Sequence, residues 1–359
     1  MGKLKTFKSR GILAVILLCI VVTITVRATA QINATDAAFA ELADLLGQAE
    51  AFSGGHGVGA AGMMGSIGGQ QAEATKSGFF TLLPAGQSGH MPRQSFTPPT
   101  AADIARLSCF DYLTRNIFLV DINTRLFETD VCVTEFLTKN QHIDTSVEGP
   151  VVLIVHAHSR EMFVDSNPYD LMTGVVGVGR HLAEILSREH GLAVMHYTAQ
   201  FDVLEDGRPM RDGSYERLEP VVRRILAENP SIQVIIDLHR DGVREHVAPM
   251  VTYIDGQRTA RIMFVNGLSR RLRNDVATDL AHLPNPNQRA NLAFTLQLQF
   301  AANQMYPGFA RRAYLLPFRY SLHMAPKSIL LEVGAQNNTL QEALNAMPHV
   351  ANVIASIVQ

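Results

Sequence analysis

Residues 151–163 read VVLIVHAHSREMF. The apolar run from Val151 to Val155 shows no alternation and is too short for a helix, which makes it a strand buried on both faces, as in a parallel sheet. Polar groups then arrive together: His156, His158, Arg160 and Glu161. The pattern recurs twice. IQVIIDLHRD (232–241) is a second buried strand that ends in Asp237, His239, Arg240 and Asp241, and KSILLEVGAQ (327–336) is a third that ends in Glu332.

Helical periodicity fills the intervals. VVGVGRHLAEILSREHG (175–191) is amphipathic and ends at Gly191, a glycine suited to the left-handed helix terminus. SYERLEPVVRRILAENP (214–230) is halted by Pro230, NPNQRANLAFTLQLQFAANQMYP (285–307) is a long helix, and TLQEALNAMPHVANVIASIV (339–358) closes the chain. DIARLSCFDYLTRNI (103–117) and VTEFLTKN (133–140) read as further helices, and LAVMHYT (192–198) as a strand. HVAPMVTYIDG and RTARIMFVNG read as a hairpin turning at DGQ, 255–257. Alternation of this kind predicts an α/β fold, a mostly parallel, twisted sheet flanked by helices on both faces.

In open α/β sheets the C-terminal strand ends line the ligand crevice, so groups remote in sequence meet there. The residues offered are imidazoles and carboxylates without a cysteine, a donor set that suits zinc with one position open to water. Such a metal makes water acidic, and a nearby carboxylate takes the proton. Glu332 is the sharpest candidate, because a carboxylate after three apolar strand residues is costly unless it is paired or faces a site. His156 and His158 are two apart and share a face if the strand runs through them. His158 is the better-spaced ligand with Glu161, which leaves His156 to orient a ligand from behind. No H-E-x-x-H occurs. His196 and His323 are weaker candidates, for the rim of the site, and read first as ordinary polar residues; the Gly174–Gly179 stretch reads as the opening of a closely packed helix rather than a phosphate loop.

The rest of the 359 residues frames this domain. Lys3, Lys5, Lys8 and Arg10 precede the uncharged run GILAVILLCIVVTITV (11–26), and RATAQ follows. Two readings stand: an uncleaved single-pass membrane anchor, or a signal peptide cut at the A-x-A-like Ala28–Ala30. Both put the remainder outside the cytoplasm. Cys19 lacks the small preceding residue of a lipidation site. Ala34 to Phe52 is helical in pattern, and a Gly/Ser/Pro-rich stretch from Ser53 to Thr100 reads as a flexible tether. The organisation expected is thus a membrane anchor or signal segment (1–30), a helical stub and tether (31–100), and a catalytic hydrolase domain (101–359). A formal net charge of −2 argues against nucleic acid as a partner. Cys109 and Cys132 stand in an oxidising compartment, where either a bridge or two free thiols is open.

Several motifs in series resemble the stage II sporulation protein P family: GPVVLIVHAHSREMF, VVGVGRHLAEIL, NPSIQVIIDLHRDGV, ARIMFVNGLSR, NLAFTLQLQFAANQMYPGFARRAYL and RYSLHMAPKSILLEVGAQNNTLQEALNAM. The likeness runs from about Phe118 to Gln359 and extends to the basic, apolar N-terminus. It implies a fold similar to zinc-dependent muramoyl amidases. It also implies a peptidoglycan hydrolase that cleaves the N-acetylmuramoyl-L-alanine amide and, as an endopeptidase, peptide cross-links. Carried over, the zinc ligands are His158, Glu161 and His239, with Glu332 as the catalytic carboxylate. Family members commonly have Thr at Ala157. Related amidases take their acidic ligand later in the chain, where Asp165 and Asp170 stand. Arg240 is expected to steady the oxyanion or a stem-peptide carboxylate, or else to pair with Asp241 behind the ligands. The resemblance further implies a role in engulfment during sporulation, with the stage II sporulation proteins D and M as partners. The competing expectation is a membrane-anchored, non-catalytic peptidoglycan-binding or scaffold protein.

Overall fold

The computed structural model describes residues 80–86 and 95–359. The N-terminal membrane segment, the Ala34–Phe52 helix and most of the Gly/Ser/Pro-rich stretch lie outside the described residues. Among the described residues no helix is long and apolar enough to cross a membrane.

The strands are β1 (Phe80–Leu83), β2 (Phe118–Val120), β3 (Val152–Val155), β4 (Val194–Tyr197), β5 (Val234–Asp241), β6 (Val251–Ile254), β7 (Gln257–Ala260), β8 (Ile262–Gly267), β9 (Arg270–Arg273), β10 (Val276–Asp279), β11 (Ala313–Leu316) and β12 (Ser328–Ala335). The α-helices are α1 (Ala101–Leu107), α2 (Phe110–Asn116), α3 (Val133–Thr138), α4 (Val175–His190), α5 (Ser214–Glu228), α6 (Gln288–Met305) and α7 (Leu340–Val358). Eight strands form the main sheet in the order β1-β4-β3-β5-β12-β8-β11-β2. Five of its seven pairings are parallel and two antiparallel, β1 on β4 and β12 on β8. The sheet is therefore mixed: β4, β3, β5 and β12 run one way, and β8, β11 and β2 the other. The reversal has a local cause. β6 and β7 form their own hairpin around Asp255 and Gly256, both at positive φ (50° and 77°), the backbone a two-residue hairpin turn requires. From that hairpin β8 enters the sheet at the edge where β5 leaves it and runs back. The expected hairpin thus closes one strand earlier than RTARIMFVNG suggested, and IMFVNG joins the main sheet.

Alternate strand residues feed two cores. Ile154, Ile236, Leu238, Leu331 and Val333 pack against α4, α6 and α7 on one face. Leu153, Val155 and Ile235 pack against Leu218, Val222 and Ile225 of α5 on the other. Helices on both faces, as expected, account for the unbroken apolar runs. The single helix expected over 103–117 is two, α1 and α2, broken at Ser108–Cys109. Phe80–Leu83, inside the stretch read as a tether, extends the sheet edge along β4, and Phe96 packs edge-on against Phe300 with ring centroids 6.2 Å apart. Cys109 and Cys132 are free and exposed.

The glycines that open α4 are there for packing. A Cβ on Gly177 would collide with the backbone of Met172, and one on Gly179 would sit 2.6 Å from His156 Cε1 and 3.0 Å from His196 Nε2. Gly179→Ala gains about 1 kcal/mol of helix propensity but forces two buried imidazoles apart, at about 1–3 kcal/mol for overpacking. We expect a net loss in urea unfolding; equal or higher stability would mean that the imidazoles yield freely.

Candidate active site

β3 stops at Val155, and residues 157–160 turn sharply. Asp202 builds that turn: Ser159 Oγ donates to Oδ1 at 2.7 Å and the Arg160 backbone N–H to Oδ2 at 2.9 Å. His158 is thereby swung out of the strand line, while His156 stays in it, so the two histidines do not share a site. His156 lies under α4. Its Nδ1 is 2.8 Å from the Leu238 carbonyl, and its Nε2 is 2.8 Å from His196 Nε2. A carbonyl only accepts, so His156 carries its proton on Nδ1 and takes a hydrogen bond from His196. Burial holds both imidazoles neutral, His156 pushed down to about 4 and His196 well below its ordinary value. His156 reaches the site through the backbone one residue before His239, and its hydrogen-bond partners are the Leu238 carbonyl and His196 rather than His158, Glu161 or His239.

His158 meets His239 at 5.3 Å and Tyr215 of α5 at 5.5 Å between ring centroids. It is neutral, pushed down to about 4 by burial and by the His239 and Arg211 charges. His239 is gripped on both sides. Its Nε2 lies 2.8 Å from Asp237 Oδ1 and its Nδ1 3.3 Å from Glu161 Oε2. All three side chains are at most 2% exposed. Burial alone would lower the His239 pKa, but the two carboxylates outweigh it and raise it well above the ordinary value. Asp237 also accepts from the Ala157 N–H and from Ser321 Oγ. Glu161 accepts from the Arg240 N–H at 3.0 Å and from Arg211 Nη2 at 2.7 Å. Burial would raise Glu161; His239 and these donors bring it down to about 2.

Glu332 sits on β12 opposite His239 of β5. Its Oε2 is buried without a hydrogen-bond partner. Burial, reinforced by the Glu161 and Asp241 charges, pushes this carboxyl up to about 8. Two carboxylates of one site are thus driven in opposite directions.

The remaining candidates fall elsewhere. Arg240 donates from Nε to the Met162 carbonyl and from Nη1 to the Asp241 carbonyl. The Asp241 carboxylate pairs with Arg311 at 2.6 Å, so there is no Arg240–Asp241 side-chain ion pair, and Asp241 supports no candidate ligand by hydrogen bond. Asp165 accepts from the Leu340 N–H at the start of α7, and Asp170 from the Met172 N–H. The carboxylates paired with His239 are instead Asp237 and Glu161. His323 lies against Glu219, away from this cluster. The residue left unassigned in sequence was Asp237, which does the work expected of Asp241. The signal was D-x-H within one strand, a spacing that puts both side chains on one face. Tyr215 and Arg211, from a helix and loop without a motif, left no such signal.

Among the described residues no group of three or more His, Cys, Asp or Glu is arranged to hold a metal ion as it stands. The donor chemistry nevertheless suits zinc. His158 keeps a buried Nδ1 without a partner. His239 is backed by Asp237 on one nitrogen and faces Glu161 with the other, the support that carboxylates give to metal-bound imidazoles.

Residues 124–355 match the model of a family described as stage II sporulation protein P. The stage II sporulation protein P of Bacillus subtilis (strain 168) is 25% identical over 227 residues, 59% of this chain and 52% of that protein. The chain therefore spans about half the length of the curated relative it matches. Similar solved structures include the catalytic domain of CwlV, an N-acetylmuramoyl-L-alanine amidase from Bacillus (Paenibacillus) polymyxa var. colistinus, at 16% identity, 58% of this chain and 94% of that chain, with a TM-score of 0.34. The N-acetylmuramoyl-L-alanine amidase AmiC2 of Nostoc punctiforme matches at 16% identity, 57% and 93%, TM-score 0.34. The CwlD amidase from Clostridioides difficile, in complex with the GerS lipoprotein, matches at 14% identity, 57% and 93%, TM-score 0.34.

The raised Glu332 pKa has a thermodynamic signature. A carboxyl whose folded pKa exceeds its unfolded value stabilises the fold fully below the unfolded value of 4.5 and loses that contribution as pH rises toward about 8. Glu332→Gln removes the dependence. In the chelator-treated protein the variant should gain about 2–4 kcal/mol over wild type between pH 5 and pH 8.5 in urea unfolding. A difference independent of pH would show that Glu332 ionises as freely as an exposed glutamate.

Proposed function

The chain belongs to the stage II sporulation protein P family, and on that premise we propose that it is a peptidoglycan hydrolase. It cleaves the amide between N-acetylmuramic acid and L-alanine, and peptide cross-links besides, in the cell-wall remodelling of sporulation. The observation that supports this most is the enclosed, unpartnered Glu332 Oε2 across the strand pair from His239. A carboxyl poised near neutrality is what a group that must both take and return a proton needs.

In this reading His158, Glu161 and His239 would hold zinc. When bound, zinc polarises the scissile carbonyl and makes a water acidic at neutral pH. The chain's own groups do the rest. Asp237 fixes the His239 ring through Nε2 and keeps Nδ1 turned to Glu161. Glu332 Oε2 takes the proton of the attacking water and returns it to the leaving amine nitrogen. Tyr215 covers the His158 ring and keeps bulk water from that side. Arg240, its side chain spent on two carbonyls, orients Glu161 through its backbone N–H.

The proposal extends to the whole protein. Residues 1–30 attach it to the membrane with the hydrolase domain outside the cytoplasm, where peptidoglycan is the partner, together with the stage II sporulation proteins D and M.

Digestion of purified sacculi followed by mass spectrometry tests the reading. Released stem peptides mean amidase action, and split cross-links mean endopeptidase action. Glu332→Gln should lose about 100-fold or more of either product while retaining zinc by elemental analysis, and His239→Ala should lose the zinc. Undiminished digestion by Glu332→Gln would remove it from the mechanism. A wild-type protein that binds sacculi and releases nothing would favour the scaffold reading.

A further inference from the structure

The face of the sheet that carries Glu332 and His239 continues beyond them, and strand alternation fixes which side chains share it. On β8 and just before it, Ala260, Ile262 and Phe264 join the core shared with α4, α6 and α7, so Arg261 and Met263 turn the other way. On β12, Leu331 and Val333 join that same core, so Leu330 and Glu332 turn with Met263. Glu332 stands directly opposite Met263 in the antiparallel ladder, and opposed residues share a face. Arg261 is therefore on the face of Glu332, two residues further along and about 7 Å away measured along the strand. Its backbone is fixed there: the Arg261 N–H donates to the Met250 carbonyl at 2.9 Å, and its carbonyl accepts from the Gly334 N–H at 2.9 Å.

This cation has no acceptor. Its Nε is buried without a hydrogen-bond partner, and its guanidinium forms no ion pair among the described residues. The charge beside it is a second cation. Arg311 leads into β11 and donates its backbone N–H to the Ile262 carbonyl at 2.8 Å, next to the start of β8. Burial and the Arg311 charge lower the Arg261 pKa from its ordinary value, and no carboxylate acts against them. Asp241, on the same face of β5 as Asp237 and His239, is already taken. Its Oδ2 accepts from Arg311 Nη1 at 2.6 Å and its Oδ1 from the Gly242 N–H at 2.7 Å. Arg244 and Glu245 of the loop that follows are exposed and offset each other. The corner where β5 and β12 end and β8 begins thus holds two guanidiniums and one carboxylate. A half-buried guanidinium without an acceptor is costly, and its planar fork matches a carboxylate.

The substrate limits which carboxylate this is. In a muramoyl peptide the carboxyl of muramic acid is consumed in the scissile amide, so the free carboxylates belong to the stem peptide. A spacing of about 7 Å is about two residues of extended chain. That reaches the second stem residue, where a γ-linked glutamate carries a free α-carboxylate.

We infer that Arg261, with Arg311 beside it, binds the α-carboxylate of the second residue of the stem peptide. The inference rests on the peptidoglycan-hydrolase reading, and it gives Arg261 the carboxylate-binding role that the sequence offered to Arg240. Amidation of that carboxylate removes the charge, so the subsite favours unamidated stems.

Muramoyl-L-alanyl-γ-D-glutamate and its α-carboxamide counterpart differ only at this group. Calorimetric binding of both to the chelator-treated Glu332→Gln full chain, where no metal competes for the carboxylate, decides the subsite. The carboxylate peptide should bind roughly tenfold tighter. Adding Arg261→Met should equalise the two, and Arg261→Lys, which keeps the charge without the fork, should retain part of the preference. Equal affinity, binding of neither peptide, or a preference that survives Arg261→Met overturns the subsite. If urea unfolding shows that Arg261→Met does not fold, Arg261→Lys decides, and an undiminished preference there overturns it. The zinc-loaded wild type should show the same preference in kcat/KM. A binding preference that depends on Arg261, with cleavage of neither peptide, upholds the subsite and sinks the hydrolase reading instead. Cleavage of both peptides alike, with equal binding, does the reverse.

Discussion

A buried imidazole clamped between two buried carboxylates is the constraint on which the site is built. Isolated, any one of Asp237, His239 and Glu161 would carry a large desolvation cost. Together they are satisfied, and the satisfaction reaches outward. Asp237 takes the Ala157 N–H and the Ser321 hydroxyl; Glu161 takes the Arg240 N–H and Arg211. One charge cluster thus fastens the turn after β3, the end of β5 and the segment before β12. Breaking a single partner would leave an uncompensated buried charge, at about 3–5 kcal/mol. The cluster has one wet edge, because the Arg211 side chain is 61% exposed. Ligand access is to be expected there, since Arg211 is the partner least committed by burial.

Sheet topology explains why these groups meet. β3, β5 and β12 are parallel neighbours, so their C-terminal ends share an edge, the place where α/β sheets bind ligands. The turn-back of β8 does not disturb this, because it pairs with β12 on the side away from β5. Alternation along β5 then separates two tasks. Asp237 and His239 face the site, while Leu238 joins the core on the opposite face and offers its carbonyl to His156. His156 and His196 belong to that opposite layer, packed against the bare backbone of Gly179.

The apolar runs of β3, β5 and β12 were legible because burial on both faces leaves a plain signature, and the helices because their caps and periodicity agree. Thr339 and Glu342, for instance, close a reciprocal cap on α7. What stayed hidden depended on where a strand ends. Reading β3 through to His158 put His156 and His158 on one face; the turn made by Asp202, 42 residues or more downstream, separates them. No local pattern announces a partner so distant. Asp237 and Asp241 are indistinguishable in sequence for the same reason. Nothing in DLHRD itself tells that Arg311 captures one aspartate and His239 the other. Phe80–Leu83 is a short, mostly apolar run in a stretch rich in glycine, serine and proline, and it is a strand by pairing along the free edge of β4.

Glu161 and Glu332 are the most instructive pair. Both are carboxyls removed from water and both feel the same His239, yet one is held down to about 2 and the other pushed up to about 8. Burial penalises the charged form of each. The difference lies in donors: Glu161 receives His239, the Arg240 N–H and Arg211, whereas Glu332 Oε2 receives none. A carboxylate rich in donors is a fixed anion, suited to holding a cation. One without donors exchanges its proton near neutrality, suited to moving one. The division follows from position. Glu161 sits on a turn whose neighbours offer free N–H groups. Glu332 sits within a strand whose N–H groups are spent on β5 and β8, so no backbone donor is left to quiet it.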